Sequence, residues 1–374
     1  MKITYSKKLS AIPRDIVSLD DYQRHARGHL SEAIYEYIAA GVADDITLHR
    51  NTQRFQDITL QSRVLRDFSH ASTGIHLLGR EYATPIILAP VAYQRLVHPD
   101  GEKATALAAD AMGTPMVTST LSSVALREIA DCNGAGNWFQ LYPQAKREDT
   151  LTLVKRAEQA GYDTVVVTVD AAVSGLRNRA QRAGFALPAD IEAVNCRDFE
   201  SVDMALRGGD SVILNGIMAQ APQWPDLEWL RAQTSLPVIV KGISHPQDAL
   251  QARSAGADAI IVSNHGGRTL DSLPASIDSL PAVRAAVGEA FPVLLDSGVR
   301  RGTDIVKAIA LGADAVLIGR PQVFSLAVAG ALGVAHMLRL LREELEIAMA
   351  LTGCATIAAI QPDCLHREEP RHQC

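Results

Sequence analysis

Gly256-Ala257-Asp258-Ala259-Ile260-Ile261-Val262-Ser263-Asn264-His265-Gly266-Gly267-Arg268 is the stretch that decides how this chain is read. A glycine suited to ending a helix is followed at once by an aspartate and then by an unbroken apolar run. Such a run reads as a strand covered on both faces, the habit of parallel sheets. Its C-terminal end passes directly into a titratable histidine and a permanently charged arginine. The two glycines between them free the backbone to bend close to a ligand. In a barrel of parallel strands, the strand C-termini form the rim where chemistry is done.

The unit recurs. Gly312-Ala313-Asp314 precedes Ala315-Val316-Leu317-Ile318 in the same way. Further runs are Pro85 to Ala89, Pro115 to Thr118, Trp138 to Leu141, Thr164 to Thr168, Pro237 to Val240 and Pro292 to Leu295. Stretches of helical period separate them, so the pattern is α/β. Eight such strands predict a (β/α)8 TIM barrel; the rival is an open doubly wound sheet, less usual at eight parallel strands.

One domain is expected over 1–374, with an N-terminal helical segment over about 1–84 and the barrel over about 85–374. In the N-terminal segment, Ser31 to Gly41 reads as a helix capped by Ser31 and ended by Gly41. The mixed stretch from Asp57 to Tyr82 is expected to form a short hairpin or plug beneath the barrel. After strand 4 the chain spends Asp170 to Pro237 on one long loop, which reads as a lid or binding loop. Its middle, 189–209, is open to a second reading as a disordered excursion. The helix that restores the barrel is expected at Asp226 to Gln233.

Charge and composition narrow the functional classes. The net charge is -6 over 374 residues, without the basic stripe of a nucleic-acid binder. The five cysteines are scattered and lack a CxxC pair, which argues against a metal cluster or a disulfide framework. The first residues, Met1 to Lys8, do not lead into a signal-peptide core, and no stretch reads as a bilayer span. His372-Gln373-Cys374 is neither an SKL-type peroxisomal address nor a prenylation box. The expectation is a cytoplasmic protein without a membrane partner.

Read off in order, the strand ends give Ala92, Ser119, Gln140 with Tyr142, Thr168 with Asp170, Lys241, Ser263 with His265, Asp296, and Gly319 with Arg320. So many polar groups converging on one mouth would each cost free energy if buried unpaired, so the mouth reads as ligand-lined. Asp296-Ser297-Gly298-Val299-Arg300-Arg301-Gly302 after strand 7 and Gly319-Arg320-Pro321 after strand 8 stand where barrels bind phosphate. A phosphorylated cofactor across the mouth follows. Lys241 fits either a Schiff-base amine or a fixed cation beside an electron-accepting ring.

With these motifs in order, the chain resembles the FMN-dependent α-hydroxy acid oxidases and dehydrogenases. Ser263 to Arg268 with Pro274-Ala275-Ser276-Ile277-Asp278, Val240 to Ile243, Leu295 to Gly302, Ile318 to Pro321, Phe139 to Tyr142 and Thr168-Val169-Asp170 carry the likeness. It runs from about Tyr35 to Leu365. Ala89 to Leu96 and Thr120 to Ser123 look most like the 4-hydroxymandelate oxidase branch.

The resemblance implies FMN on the barrel mouth, its ring against Pro90, Val91 and Ala92. Ser119, Gln140 and Thr168 would bond the ring edge, with Ser263 a further contact. Lys241 would face the side where negative charge develops on reduction. Asp296 would hold the ribityl chain, and Ser297, Gly298, Arg300, Gly319 and Arg320 would surround the phosphate. The substrate carboxylate would meet Arg268, Arg177 and Tyr37, with Tyr142 on the α-oxygen. His265 would be the base and Asp170 would stabilise its imidazolium form. A base is required whether electrons leave as hydride or through a carbanion. No metal is implied.

Three positions depart from the family pattern. Ser297 replaces a usual glycine, and its hydroxyl is expected near the phosphate or ribityl chain. Ala171 to Arg177 lacks the usual proline and paired arginines, so Arg179 or Arg182 competes for the role of Arg177. Leu121 stands where the glycolate-oxidising branch carries Trp, which with Tyr93 suits a bulky or aryl side chain. Ala92 matches the oxidases of the family, so O₂ is the expected acceptor, giving hydrogen peroxide. The expected reaction is oxidation of an (S)-2-hydroxy acid, such as mandelate or 4-hydroxymandelate, by a homotetramer or octamer. A lactate-type dehydrogenase with another acceptor, a flavin-barrel isomerase, a Schiff-base aldolase and a non-catalytic scaffold are the alternatives.

Overall fold

The computed structural model describes residues 11–200 and 206–366 together with Ile3, Tyr5 and Leu9. Most of Met1 to Lys8, all of His372-Gln373-Cys374 and the stretch 201–205 of the long loop lie outside the described residues. Three helices come first: α1 (Leu19–His29), α2 (Glu32–Ala39) and α3 (Ile46–Asp57). Ser31 caps α2, its hydroxyl accepting from Ile34 N. Gly41 does not end the helix, which stops at Ala39; its N–H instead reaches Asp45 Oδ1 at 2.7 Å. The expected hairpin is present, Ile75–Leu77 pairing antiparallel with Arg80–Tyr82.

The eight expected strands all form: β1 (Ile86–Leu88), β2 (Met116–Ser119), β3 (Asn137–Leu141), β4 (Thr164–Thr168), β5 (Val238–Ile243), β6 (Ala259–Val262), β7 (Val293–Leu295) and β8 (Ala315–Ile318). They close in sequence order, β8 pairing parallel with β1 through Val316 and Ile86, so the open-sheet alternative falls. Every residue of β2, β3, β4, β6 and β8 is buried, as unbroken apolar runs require. Alternate residues such as Val117, Val166, Ile239, Ile261 and Leu317 fill the barrel interior; their neighbours pack against the surrounding helices.

The Gly-Ala-Asp turns have a shared job at the foot of the barrel. Asp258 Oδ2 accepts from Val238 N at 2.8 Å, and Asp314 Oδ2 accepts from Val293 N at 2.7 Å. Each aspartate therefore satisfies the first N–H of the preceding strand, a donor that would otherwise be lost.

Three elements depart from the sequence expectation. β5 runs past Lys241 to Ile243, with an irregular register between those residues. The restoring helix is Trp224–Arg231, begun two residues early because Asp226 sits at its third position and accepts from Gln223 N at 2.9 Å. Arg320–Thr352 is long and apolar enough to cross a membrane, although the sequence reading found no such stretch. It breaks at Ala329 and Gly330, and 61% of its most apolar window is buried against the protein.

The long loop carries order where disorder was one reading. Asn195 is buried, accepts from Leu126 N at 3.1 Å and donates to Ser122 Oγ at 2.8 Å.

Candidate active site

The strand ends surround one cavity. Pro90, Val91, Ala92, Ser119, Gln140, Tyr142, Thr168, Lys241, His265, Asp296, Ser297, Gly298, Arg300, Gly319 and Arg320 line it, as do Tyr37, Arg177 and Arg268. Ser263 does not: its buried hydroxyl accepts from Lys241 Nζ and His265 N, both at 3.0 Å. Asp170 stands just behind the wall.

His265, Gly266 and Gly267 have φ of 57°, 65° and 71°, three consecutive left-handed residues. Two glycines make that turn cheap; for the histidine it costs about 1–2 kcal/mol. The turn is pinned on both sides, Gly266 N donating to Ser297 Oγ at 2.9 Å and Gly267 N to Asn264 O at 3.0 Å. It aims the imidazole so that Nδ1 lies 2.9 Å from Asp170 Oδ1. Against a carboxylate, Nδ1 carries the proton, which leaves the Nε2 lone pair free. Burial, then Lys241, pushes the His265 pKa below its ordinary value despite Asp170, so the ring is neutral near pH 7. For Asp170, burial opposes ionisation, but Lys241 and His265 outweigh it and hold the carboxyl below its usual range.

Gly242 makes this pair possible. It has φ of 106°, and a Cβ there would meet Asp170 Cβ at 2.5 Å. Beside it, buried Lys241 places Nζ 3.1 Å from Asp296 Oδ2. Burial works against the ammonium, but Asp296 and Asp170 raise its pKa above the ordinary value. A lysine held charged is a fixed cation and a poor Schiff-base nucleophile.

The arginines follow from the end of α2, whose last carbonyls have no helical partners. Arg268 Nη1 donates to Tyr37 O at 2.9 Å, and Arg320 donates to Ile38 O at 3.0 Å, Ala40 O at 2.9 Å and Gly266 O at 2.8 Å. A helix C-terminus favours cations there. Burial, then Arg177, pushes Arg268 down to about 10. Burial lowers Arg300 and Arg320 too, the latter also through Arg268. Among the described residues none of these three has a carboxylate within ion-pair distance. Of the neighbouring pair, Arg301 turns away to Glu344 at 2.9 Å, leaving Arg300 to the cavity.

Of the three arginines competing for the opposing place, Arg177 alone lines the cavity. Its guanidinium lies 5.4 Å from the Tyr37 ring centroid, as does that of Arg268. Arg179 is engaged with Glu36 and Asp45, and Arg182 does not line the cavity. Tyr142 is partly buried, and the desolvation pushes its hydroxyl up to about 12 and keeps it a donor at neutral pH. Ser297 lines the cavity beside Asp296. It donates to Asp296 Oδ1 at 2.7 Å and accepts from Gly266, so it is spent inside the protein.

The chain was compared with known proteins. The model of the family described as FMN-dependent dehydrogenase matches residues 26–367. The chain belongs to that family. It is 49% identical over 355 residues to an L-lactate oxidase of Alicycliphilus denitrificans, covering 95% of this chain and 97% of that one. It is 41% identical to glycolate oxidase 3 of Arabidopsis thaliana, covering 92% and 95%. A solved mandelate oxidase with benzoyl-formic acid superposes with a TM-score of 0.85 at 43% identity, covering 94% and 98%. The fold is thus the family's (β/α)8 barrel, FMN is the cofactor, and the enzyme is an FMN-dependent 2-hydroxy acid oxidase. The aldolase, isomerase and scaffold alternatives fall with that membership.

The residues fit FMN. Gln140 Oε1 is fixed by Ser119 Oγ at 3.2 Å and Thr120 N at 3.3 Å, which turns its amide N–H₂ the other way. Gln140 Nε2 and Thr168 Oγ1 are buried without a partner in the chain, a cost of about 1–3 kcal/mol each that a flavin ring edge would relieve. The arginines without carboxylates supply the charge for a phosphate and for a substrate anion. The sequence reading missed the α2 carbonyls as arginine acceptors and Phe185, which stacks on Tyr37 at 4.1 Å. Only the Phe185-Ala186-Leu187-Pro188 apolar cluster hinted at the latter.

Proposed function

We propose that this enzyme oxidises an (S)-2-hydroxy acid with an apolar side chain to the 2-oxo acid. His265 is the base, and O₂ is the acceptor, giving hydrogen peroxide. The observation that carries the reading is the His265–Asp170 pair at 2.9 Å, set in one cavity with Arg268 and Arg177. The two guanidiniums bind the substrate carboxylate and Tyr37 lies between them. That fixes the α-carbon over the mouth. Tyr142 donates its hydroxyl to the α-oxygen. His265 Nε2 takes a proton from the C–OH centre, and Asp170 stabilises the imidazolium that results. FMN, when bound, would supply the two-electron acceptor, taking the electron pair with the second proton, and their passage to O₂ would give hydrogen peroxide. Lys241 and Asp296 keep a net-neutral, rigid charge pair beneath the mouth.

For FMN itself, Gln140, Thr168 and Ser119 address the ring edge, Pro90 to Ala92 its face, and Arg300 and Arg320 the phosphate. Tyr93 and Leu121 wall the substrate side and are joined by Tyr93 N donating to Leu121 O at 3.0 Å. Two bulky apolar walls favour an aryl or branched side chain over the bare hydrogen of glycolate. The mandelate oxidase likeness supports (S)-mandelate or its 4-hydroxy derivative. The 49% identity to an L-lactate oxidase favours a second reading, lactate, in the same site. Anaerobic flavin bleaching with glycolate, L-lactate, (S)-mandelate and 4-hydroxymandelate decides. Mandelates should bleach with the highest second-order rate constant; glycolate leading the panel would overturn the substrate reading. Peroxide should then appear in proportion to substrate under air.

A further inference from the structure

Arg177 has a problem that its own contacts do not solve. It sits on the long loop, faces the like charge of Arg268 across Tyr37, and its Nε is buried without a partner. Left alone, the repulsion and the desolvation favour its leaving the cavity for water. The residues around it supply the restraint.

Leu176 O accepts from Ala43 N at 2.8 Å, fixing the residue before Arg177. Arg177 caps the short helix Asn178–Arg182, and Arg179 does not line the cavity. Its Nη2 lies 2.5 Å from Glu36 Oε2 on α2, and its Nη1 lies 2.6 Å from Asp45 Oδ2 just before α3. Both carboxylates are nearly buried, at 9% and 8% exposure, and Arg27 adds a second cation to Glu36 at 3.5 Å, so this is a partly desolvated four-residue cluster and no loose surface pair. Asp45 is itself held, its other oxygen accepting from Gly41 N at 2.7 Å. Further along, Phe185 stacks on Tyr37 with the rings 12° from parallel. The start of the loop is thereby fastened to the α2–α3 corner on either side of Arg177.

We propose that Arg179 is a positioning residue for the substrate carboxylate: its ion pairs with Glu36 and Asp45 hold Arg177 in the cavity against Arg268. The proposal rests on the reading of Arg177 as a carboxylate-binding arginine. Arg179 touches neither substrate nor cofactor, so its whole effect on binding passes through Arg177.

A double-mutant cycle on the FMN-loaded enzyme tests this, read as KM and kcat for the preferred 2-hydroxy acid and as the dissociation constant of oxalate by flavin absorbance. Arg177→Met should raise KM and weaken oxalate; if it does neither, the carboxylate reading of Arg177 is wrong. Given that effect, Arg179→Met should raise KM about tenfold with kcat within about threefold, and should add nothing in the Arg177→Met background. Arg179→Lys, which keeps the charge between the two carboxylates, should recover most of the loss. A purely structural role predicts independent, multiplying defects and lowered FMN content. Multiplying effects, or an unchanged KM in Arg179→Met while Arg177→Met is impaired, would overturn the proposal and leave Arg177 standing.

Discussion

Asp170 Oδ1 and His265 Nδ1 stand 2.9 Å apart, bridging the ends of β4 and β6 over the strand that carries Lys241. The contact fixes both the tautomer and the aim of the imidazole. Asp170→Asn keeps the shape but removes the charge that stabilises the protonated ring. Anaerobic flavin reduction should slow on the order of 10²–10⁴-fold, with FMN content unchanged. Stopped-flow bleaching measures it, and a loss under about threefold would remove Asp170 from the mechanism. His265→Ala should remain yellow and fail to bleach.

The pH profile follows from the same neighbourhood. Protonated His265 cannot accept the substrate proton, so kcat/KM falls as pH drops through its pKa. Burial and Lys241 depress that pKa, so the acid limb should lie below the ordinary histidine value of about 6.5, with a plateau at neutral pH. Lys241→Met removes the cation that disfavours imidazolium, so in that variant the limb should move to higher pH. A shift to lower pH would contradict the assignment of the limb to His265.

Arg300 separates the two parts of the cofactor site. It lines the cavity and has no carboxylate within ion-pair distance among the described residues. Arg300→Met should weaken FMN by at least about tenfold while leaving riboflavin affinity nearly unchanged, because only FMN carries the phosphate. Fluorescence quenching of each flavin by the apoprotein gives both constants. Equal losses for FMN and riboflavin would place Arg300 away from the phosphate.

What could be read in the sequence divides by its physical origin. The eight strands were legible because burial on both faces leaves an unbroken apolar signature, as in Thr164 to Thr168. His265, Arg268 and Lys241 were legible because polar residues at the ends of such runs have few structural reasons to be there. The need for glycine at 242 was not, since it comes from Asp170, which follows β4 and would meet a Cβ there. Nor was the capture of Arg268 and Arg320 by α2, because the acceptors are backbone carbonyls that any residue supplies. The choice among Arg177, Arg179 and Arg182 depended on where Glu36 and Asp45 come to lie, which is tertiary information.

Ser297 tests how local strain and hydrogen bonding trade against each other. Its φ of 75° favours glycine, and a serine there costs about 1–2 kcal/mol. Its hydroxyl, however, accepts from Gly266 N and donates to Asp296. Ser297→Gly relieves the strain but leaves the Gly266 N–H without that acceptor, at about 1–3 kcal/mol, and loses a bond to a charged carboxylate worth about 1.5–3 kcal/mol. The lost bonds outweigh the relief, so the variant should unfold at lower temperature than the parent. Ser297→Ala keeps the strain and loses the same bonds, so it should be the least stable of the three. Thermal unfolding of the FMN-loaded proteins gives the order; a Ser297→Gly protein more stable than the parent would mean that backbone strain dominates at this turn.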